Sequence, residues 1–150
     1  MNYYRTPLGL LGFVAGVLLA LNGNVLGADD KAMHETMVKC AKECARCQVE
    51  CHLCARHCEK LSQSGSKEHR AMMELCAGCA ELCTTASGLC AWENVKVAPI
   101  ACEACAKACD ECAAACEKKK DDKHIAECAK ACRECASVCR EMVKHVGAGR

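Results

Sequence analysis

"CAKECARCQVECHLCARHC", residues 40–58, places cysteine at 40, 44, 47, 51, 54 and 58, in steps of four and three. A helix turning once every 3.6 residues keeps positions at that spacing on one side, the side usually occupied by leucine. Lys42, Glu43, Arg46, Glu50 and Arg56 fall between the cysteines. The stretch therefore predicts an amphipathic helix whose buried face is made of thiols. The same phase returns at Cys76, Cys79, Cys83 and Cys90, at Cys102, Cys105, Cys109, Cys112 and Cys116, and at Cys128, Cys132, Cys135 and Cys139. One step is longer, from Cys83 to Cys90, with Ala86 and Ser87 in the skipped turn. Four striped blocks predict four helices.

The links between blocks carry helix-boundary signals. "SQSGS" (62–66) offers a break at Gly65 and a cap at Ser66, "NVKVAP" (94–99) ends in a proline suited to a first helical turn, and "KKKDD" (118–122) supplies Asp121 or Asp122 as a cap. Helices over 31–62, 66–92, 99–118 and 122–146 follow, and links this short favour antiparallel neighbours. No strand pattern interrupts them. The fold class is all-α: an antiparallel up-down-up-down four-helix bundle with a cysteine-lined core, its other inward positions mostly alanine.

The chain has 150 residues, 19 of them cysteine. Residues 1–28 read as a secretory signal peptide, with Arg5, an apolar run from Leu8 to Leu21, and small residues Gly27 and Ala28 at a cleavage point. Residues 29–150 then form the bundle domain, exported to a periplasm or secreted. No twin arginine precedes the run and no lipid-accepting cysteine follows it, so the expected product is soluble. Without the leader a single aromatic, Trp92, remains, expected to anchor packing, and branched aliphatics are scattered. Large apolar side chains normally offset chain entropy. Sulfur must take that place here. Loss of Arg5 takes the formal charge from +1 to about zero with both signs interspersed, which implies neither nucleic acid nor an anionic membrane as partner.

Several chemistries use rows of thiols. Disulfides suit an exported chain, but the number is odd, and neighbours along one stripe lie about 5–6 Å apart at Cβ against about 3.8 Å in a relaxed bridge. Cross-helix bridges, giving a stapled structural or interaction module, stay open as an alternative, as does a broader sink for zinc or cadmium. Zinc needs four ligands per isolated site and gains nothing from a continuous row. An iron–sulfur cluster does not survive export of an unfolded chain, and no Cys-x-x-Cys is followed by His to attach haem. A redox enzyme would single out one Cys-x-x-Cys pair in a βαβ setting, which is missing. Cu(I) is soft and content with two or three thiolates, so cysteines three or four apart on one helix can chelate it. If all 19 thiols ionised and each Cu(I) kept two private thiolates, about nine ions would leave roughly ten negative charges in the core. Bridging thiolates remove that excess. The expected cargo is multiple Cu(I) ions, on the order of one per cysteine, in a protein that is not an enzyme.

Blocks such as "CAKECARCQVECHLCARHC" and "CEACAKACDECAAAC" behind an export signal resemble the four-helix-bundle copper storage proteins of bacteria. The resemblance covers nearly all of the chain after the leader, on cysteine phase rather than an ordered motif. It implies storage of many Cu(I) ions inside the bundle, supply of cuproenzymes or detoxification, and assembly into homo-oligomers, as a tetramer. Donor and acceptor proteins are not specified by it.

Softer, weaker ligands cluster at the bundle ends. Met33 and Met37 continue the first stripe before Cys40, and Met142 continues the last beyond Cys139, with His34 and His145 off the stripe nearby. Thioether and imidazole suit a port that hands copper inward, although methionine also fills tapering cores. At the other end His57, His69, Met72, Met73 and His124 gather near Cys58, Cys76 and Cys116, with Met72 and His124 expected to point most nearly inward. His52 is expected in solvent.

Overall fold

The computed structural model describes residues 11–148, and side chains for Gly27 and from 29 to 147. Four α-helices run in order: α1 (Leu11–Ser62), α2 (Lys67–Ala91), α3 (Ala98–Cys116) and α4 (Lys123–Ala148), with a 3-10 turn, Glu117–Lys119, after α3. The chain divides into two units, residues 1–33 and residues 34–150; the second holds the bundle. Residues 1–10 of the expected leader lie outside the described residues, and of 11–26 only helical backbone is described. Helix α1 thus begins upstream of the expected residue 31, with no proline between Leu11 and that point to interrupt it. Among the described residues no helix is long and apolar enough to cross a membrane.

The boundary signals act as their chemistry dictates. Gly65 closes α1 with φ +91°, a left-handed conformation that only glycine adopts without strain. Ser66 caps α2 by accepting from the His69 N–H at 3.4 Å. Pro99 sits in the first turn of α3, and Asp122 Oδ1 accepts from the N–H groups of His124 at 3.0 Å and Ile125 at 3.3 Å to cap α4. Helix α2 ends in a Schellman motif: Asn94 N–H bonds the Leu89 carbonyl and Glu93 N–H bonds that of Cys90, both at 3.0 Å. The left-handed residue there is Glu93, φ 50°, where glycine is usual.

Sulfur contacts fix the topology. Along α1 and α4 the pairs are Cys44–Cys139 and Cys51–Cys132, each 3.5 Å, so these helices run in opposite directions. Cys76–Cys112 and Cys90–Cys102, also 3.5 Å each, make α2 antiparallel to α3. Cys40–Cys102 at 3.7 Å and Cys47–Cys109 at 3.9 Å rise together on α1 and α3, the diagonal, parallel pair. The molecule is the up-down-up-down bundle that the stripe predicts. Its small inward residues let the helices close up until sulfurs touch.

On the outside, ion pairs join adjacent helices. Arg133 of α4 holds both carboxylate oxygens of Glu117 at 2.9 Å and Asp110 of α3 at 3.0 Å, and Arg140 takes the other Asp110 oxygen. Arg46 links Glu43 to Glu134 across α1 and α4. These groups are partly or fully exposed, so solvent screens each pair and leaves it little net stabilisation. They orient the helices more than they stabilise them. Ser87, in the turn where the second stripe skips, donates to the Ala41 carbonyl at 2.9 Å and ties α2 to α1.

Candidate metal centre

All 19 cysteines are buried as free thiols, the most exposed of them at 1%. Alanines fill the positions between them, among them Ala80, Ala86, Ala98, Ala113 and Ala131, each at 0%. No polar or charged side chain is buried among the described residues. The core is therefore a column of sulfur in a hydrocarbon jacket. The disulfide-stapled alternative does not describe this arrangement, since no cysteine is paired.

The sulfurs assemble into four-thiol groups whose ligand atoms lie within 4.8 Å of one another. Three of these groups draw one cysteine from each helix: Cys47, Cys79, Cys109 and Cys132; Cys47, Cys83, Cys109 and Cys135; Cys54, Cys76, Cys116 and Cys128. Two others, Cys44–Cys105–Cys135–Cys139 and Cys51–Cys112–Cys128–Cys132, take two members from α4. The groups thus combine sulfurs from different helices with i, i+4 pairs on α4, Cys135 with Cys139 and Cys128 with Cys132. Ladder contacts lie within the range of the cross-helix ones: Cys40–Cys44 and Cys47–Cys51 are 4.0 and 3.9 Å, and Cys76–Cys116 and Cys44–Cys139 are 4.0 and 3.5 Å. Two sulfurs each about 2.3 Å from a shared ion at an angle near 120° stand about 4.0 Å apart. Contacts of this length match thiolates that share a metal ion.

Cys47 and Cys109 each belong to two of these groups, and so do Cys128, Cys132 and Cys135 of α4. Adjacent groups are thereby linked by common sulfurs along the bundle axis. This is the bridging that charge balance requires.

The protonation pattern follows from the same contacts. Contacts with Cys102, Cys139 and Cys44 hold Cys40 well below the ordinary thiol range, and contacts with Cys109 and Cys132 do the same for Cys47. Other thiols go the opposite way: Cys76 is pushed up by its contacts with Cys112 and Cys116, and Cys51 by Cys112 and Cys128. At the end of the column burial pushes Cys58 up to about 12. Cys116 is raised by Cys112 but lowered more by Cys128, Cys54 and Cys76, to about 5. Neighbouring sulfurs thus compete for protons, and no charged side chain is buried among the described residues to balance a thiolate. A soft monovalent cation that replaces each proton leaves the net charge unchanged.

The ends of the column differ from the expectation in part. Met37 and Met142 are fully buried, at the end where Cys40 meets Cys102 and Cys139. Met33 is half-buried and belongs to the first unit, outside the bundle unit. His34 is exposed and bonded through Nδ1 to Glu93 at 2.7 Å, and His145 is exposed. At the opposite end Met72 is buried at 6%. His124 does not point inward; its ring is exposed and lies against His57, centroids 4.9 Å apart, while the apolar Ile125, one position on, takes the buried place at 1%. His57 is instead bonded to Asp122 at 2.7 Å. His69 bonds Ser66 through Nδ1 at 2.9 Å, Met73 is half-buried, and His52 is in solvent as expected. Trp92 anchors no packing: it caps α2 by backbone alone and is 86% exposed.

A family model of copper storage proteins matches residues 33–144, which is the striped region and both of its ends. The chain belongs to the copper storage protein family. Among solved structures, a cytosolic copper storage protein from Streptomyces lividans, loaded with five coppers, is 28% identical with a TM-score of 0.69, over 76% of this chain and 97% of that one. A protein from Nitrosospira multiformis matches at 28% identity and a TM-score of 0.59, over 73% of this chain and 96% of the other. No curated protein matches the chain. For this copper storage family member the thiol column is the storage site, and copper is its cargo.

Proposed function

We propose that the protein stores copper as Cu(I), bound by bridging thiolates along the column, with a capacity on the order of one ion per cysteine. The observation that carries this is the set of linked, buried four-thiol groups, with no charged side chain buried beside them among the described residues. Copper in the monovalent state fits because two or three sulfurs satisfy it and each ion cancels one thiolate charge. Divalent zinc or cadmium would bring twice the charge per ion and would fill fewer places. The protein acts as a reservoir for cuproenzymes or as a protection against excess copper, and not as a catalyst. Residues 1–28 serve as a cleaved export signal, so that metal is taken up in the periplasm or outside the cell, and several chains assemble together, as a tetramer.

The buried thioethers Met37 and Met142 form one port of the column. Met72 and the exposed His124 serve the opposite end. Weak ligands placed outside strong ones pass copper inward down a gradient of affinity. Anaerobic titration of the reduced protein with Cu(I) against a chromophoric chelator tests the storage reading. Saturation near one ion per cysteine supports it; saturation below about half that ratio defeats the bridging scheme.

A further inference from the structure

At the end of the bundle opposite Met37 and Met142, three side chains that the sulfur column does not use meet at the surface. His57 comes from the last turns of α1, and Asp122 and His124 from the start of α4. The Asp122 carboxylate is fixed twice: Oδ1 accepts from the N–H groups of His124 and Ile125 to cap the helix, and Oδ2 lies 2.7 Å from His57 Nε2. The His124 ring lies against that of His57, with centroids 4.9 Å apart and planes at 40°. The His57 and Asp122 side chains are 27% and 31% exposed, and His124 is exposed, so an ion from solvent reaches all three. Neither the cap nor the ion pair requires a second imidazole at this point.

The spacings fit three donors to one metal ion. An imidazole nitrogen about 2.1 Å from an ion puts its ring centroid about 3.2 Å away, so two imidazoles on one four-coordinate ion have centroids about 5 Å apart. The two rings already stand at that separation. A nitrogen and an oxygen bound to the same ion are about 3 Å apart. An ion that replaces the proton between His57 and Asp122 therefore parts those atoms by roughly 0.3 Å. The cap holds the carboxylate in place before any ion arrives, as outer-shell partners do for metal ligands. Water fills the fourth position from the open side.

We infer that His57, His124 and Asp122 form a separate site for divalent copper, outside the sulfur column. Donor chemistry sets the choice of ion. Cu(I) prefers the thiolates nearby, whereas two imidazoles and a carboxylate suit a divalent ion, and among the first-row divalent ions Cu(II) binds such donors most tightly. Burial raises the Cys58 thiol most, Cys54 and Cys116 raise it further, and the Asp122 charge adds to them, which sets the site beside the last sulfur of the column. The protein then holds its cargo in two oxidation states at two places, monovalent inside and divalent at this end. The use of the site rests on the storage reading, but its formation does not, since no cysteine is among its ligands.

Electron paramagnetic resonance tests this directly. Cu(I) has a filled d shell and gives no signal, so a chelator counts the ions in the column while resonance sees the divalent ion alone. The reduced protein is loaded with Cu(I) anaerobically, given one equivalent of Cu(II) and frozen within seconds. The expected spectrum is a single Cu(II) species per chain, split by two imidazole nitrogens. His124→Ala and His57→Gln each leave one nitrogen and weaken binding about 100-fold or more. Asp122→Asn, which keeps the helix cap, retains both nitrogens and weakens binding at least about 10-fold. His52→Ala, in solvent on the same helix as His57, leaves the spectrum unchanged. Circular dichroism on each variant separates a lost ligand from a lost fold. Absence of bound Cu(II), a spectrum without two-nitrogen splitting, or binding at the parent's strength in both His57→Gln and His124→Ala would overturn the inference, and so would loss of the signal in His52→Ala. A protein that takes up no Cu(I) yet gives the two-nitrogen signal would defeat the storage reading and leave this site standing.

Discussion

Two cysteines that look equivalent in the sequence are unequal in the structure. Cys132 and Cys79 are both buried, at 0% and 1%. Of the five groups described above, Cys79 belongs to the one with Cys47, Cys109 and Cys132, whereas Cys132 belongs to that group and also to the one with Cys51, Cys112 and Cys128. If each helix were an independent ladder, Cys79→Ser and Cys132→Ser would each remove one thiolate and one Cu(I). With shared sulfurs, charge balance still removes one ion for the missing thiolate, but the second group touched by Cys132 also loses a ligand. We expect Cys79→Ser to lower capacity by about one ion and Cys132→Ser by about two. Each substitution leaves a hydroxyl among sulfurs, at a cost of roughly 1–3 kcal/mol, which a fold stable by roughly 5–15 kcal/mol survives. Cys76→Ser and Cys128→Ser repeat the comparison in another group, since Cys128 belongs to two of those five groups and Cys76 to one. Anaerobic Cu(I) titration against a chromophoric chelator, with helicity checked by circular dichroism, gives the four capacities. Equal losses in all four variants would refute the linked-group reasoning.

Other expectations concern the ends of the column and its protons. Met37→Ala and Met142→Ala each lose about 2–5 kcal/mol of stability in thermal or denaturant unfolding, because both side chains are fully buried, while capacity falls by no more than the port itself holds. Glu93→Gly relieves the left-handed residue at the end of α2 and should raise stability by roughly 1 kcal/mol in denaturant unfolding; a loss would show that the His34 bond outweighs backbone strain. Acid should release copper, since protons and Cu(I) compete for the same thiolates. Cys58 keeps its proton up to about 12, so copper bound there weakens throughout the fall from alkaline to neutral pH, whereas Cys116, ionised above about 5, should hold copper until the pH nears that value. Chelator-monitored release from Cys58→Ser and Cys116→Ser variants separates the two phases. A release curve unchanged by either substitution would contradict the assignment.

Much of this was legible in the sequence because cysteine is the buried residue. The stripe gives the helices, the links give their ends, and Ser66, Pro99 and Asp122 mark boundaries through local chemistry that does not depend on tertiary packing. What the sequence hid arises between helices. Spacing along one helix shows which cysteines share a face, but not that Cys44 lies closer to Cys139 than to Cys40. The grouping that makes α4 a common rail depends on how four helices nest. Phase also failed at the ends. His124 and Ile125 both lie about one turn before Cys128, and the choice between them was made by hydrophobicity, which buries isoleucine and leaves imidazole beside His57. Trp92 follows the last cysteine of its helix by two positions, which turns it outward.

The most direct measurement is a crystal structure of the protein loaded anaerobically with Cu(I), with anomalous scattering collected at the copper edge to place each ion. The account predicts a continuous file of copper along the axis, each ion bound by sulfurs from at least two helices and the shared sulfurs of Cys128, Cys132 and Cys135 bridging successive ions. Copper confined to the methionine and histidine ends, or sulfurs joined to one another across the helices, would contradict it.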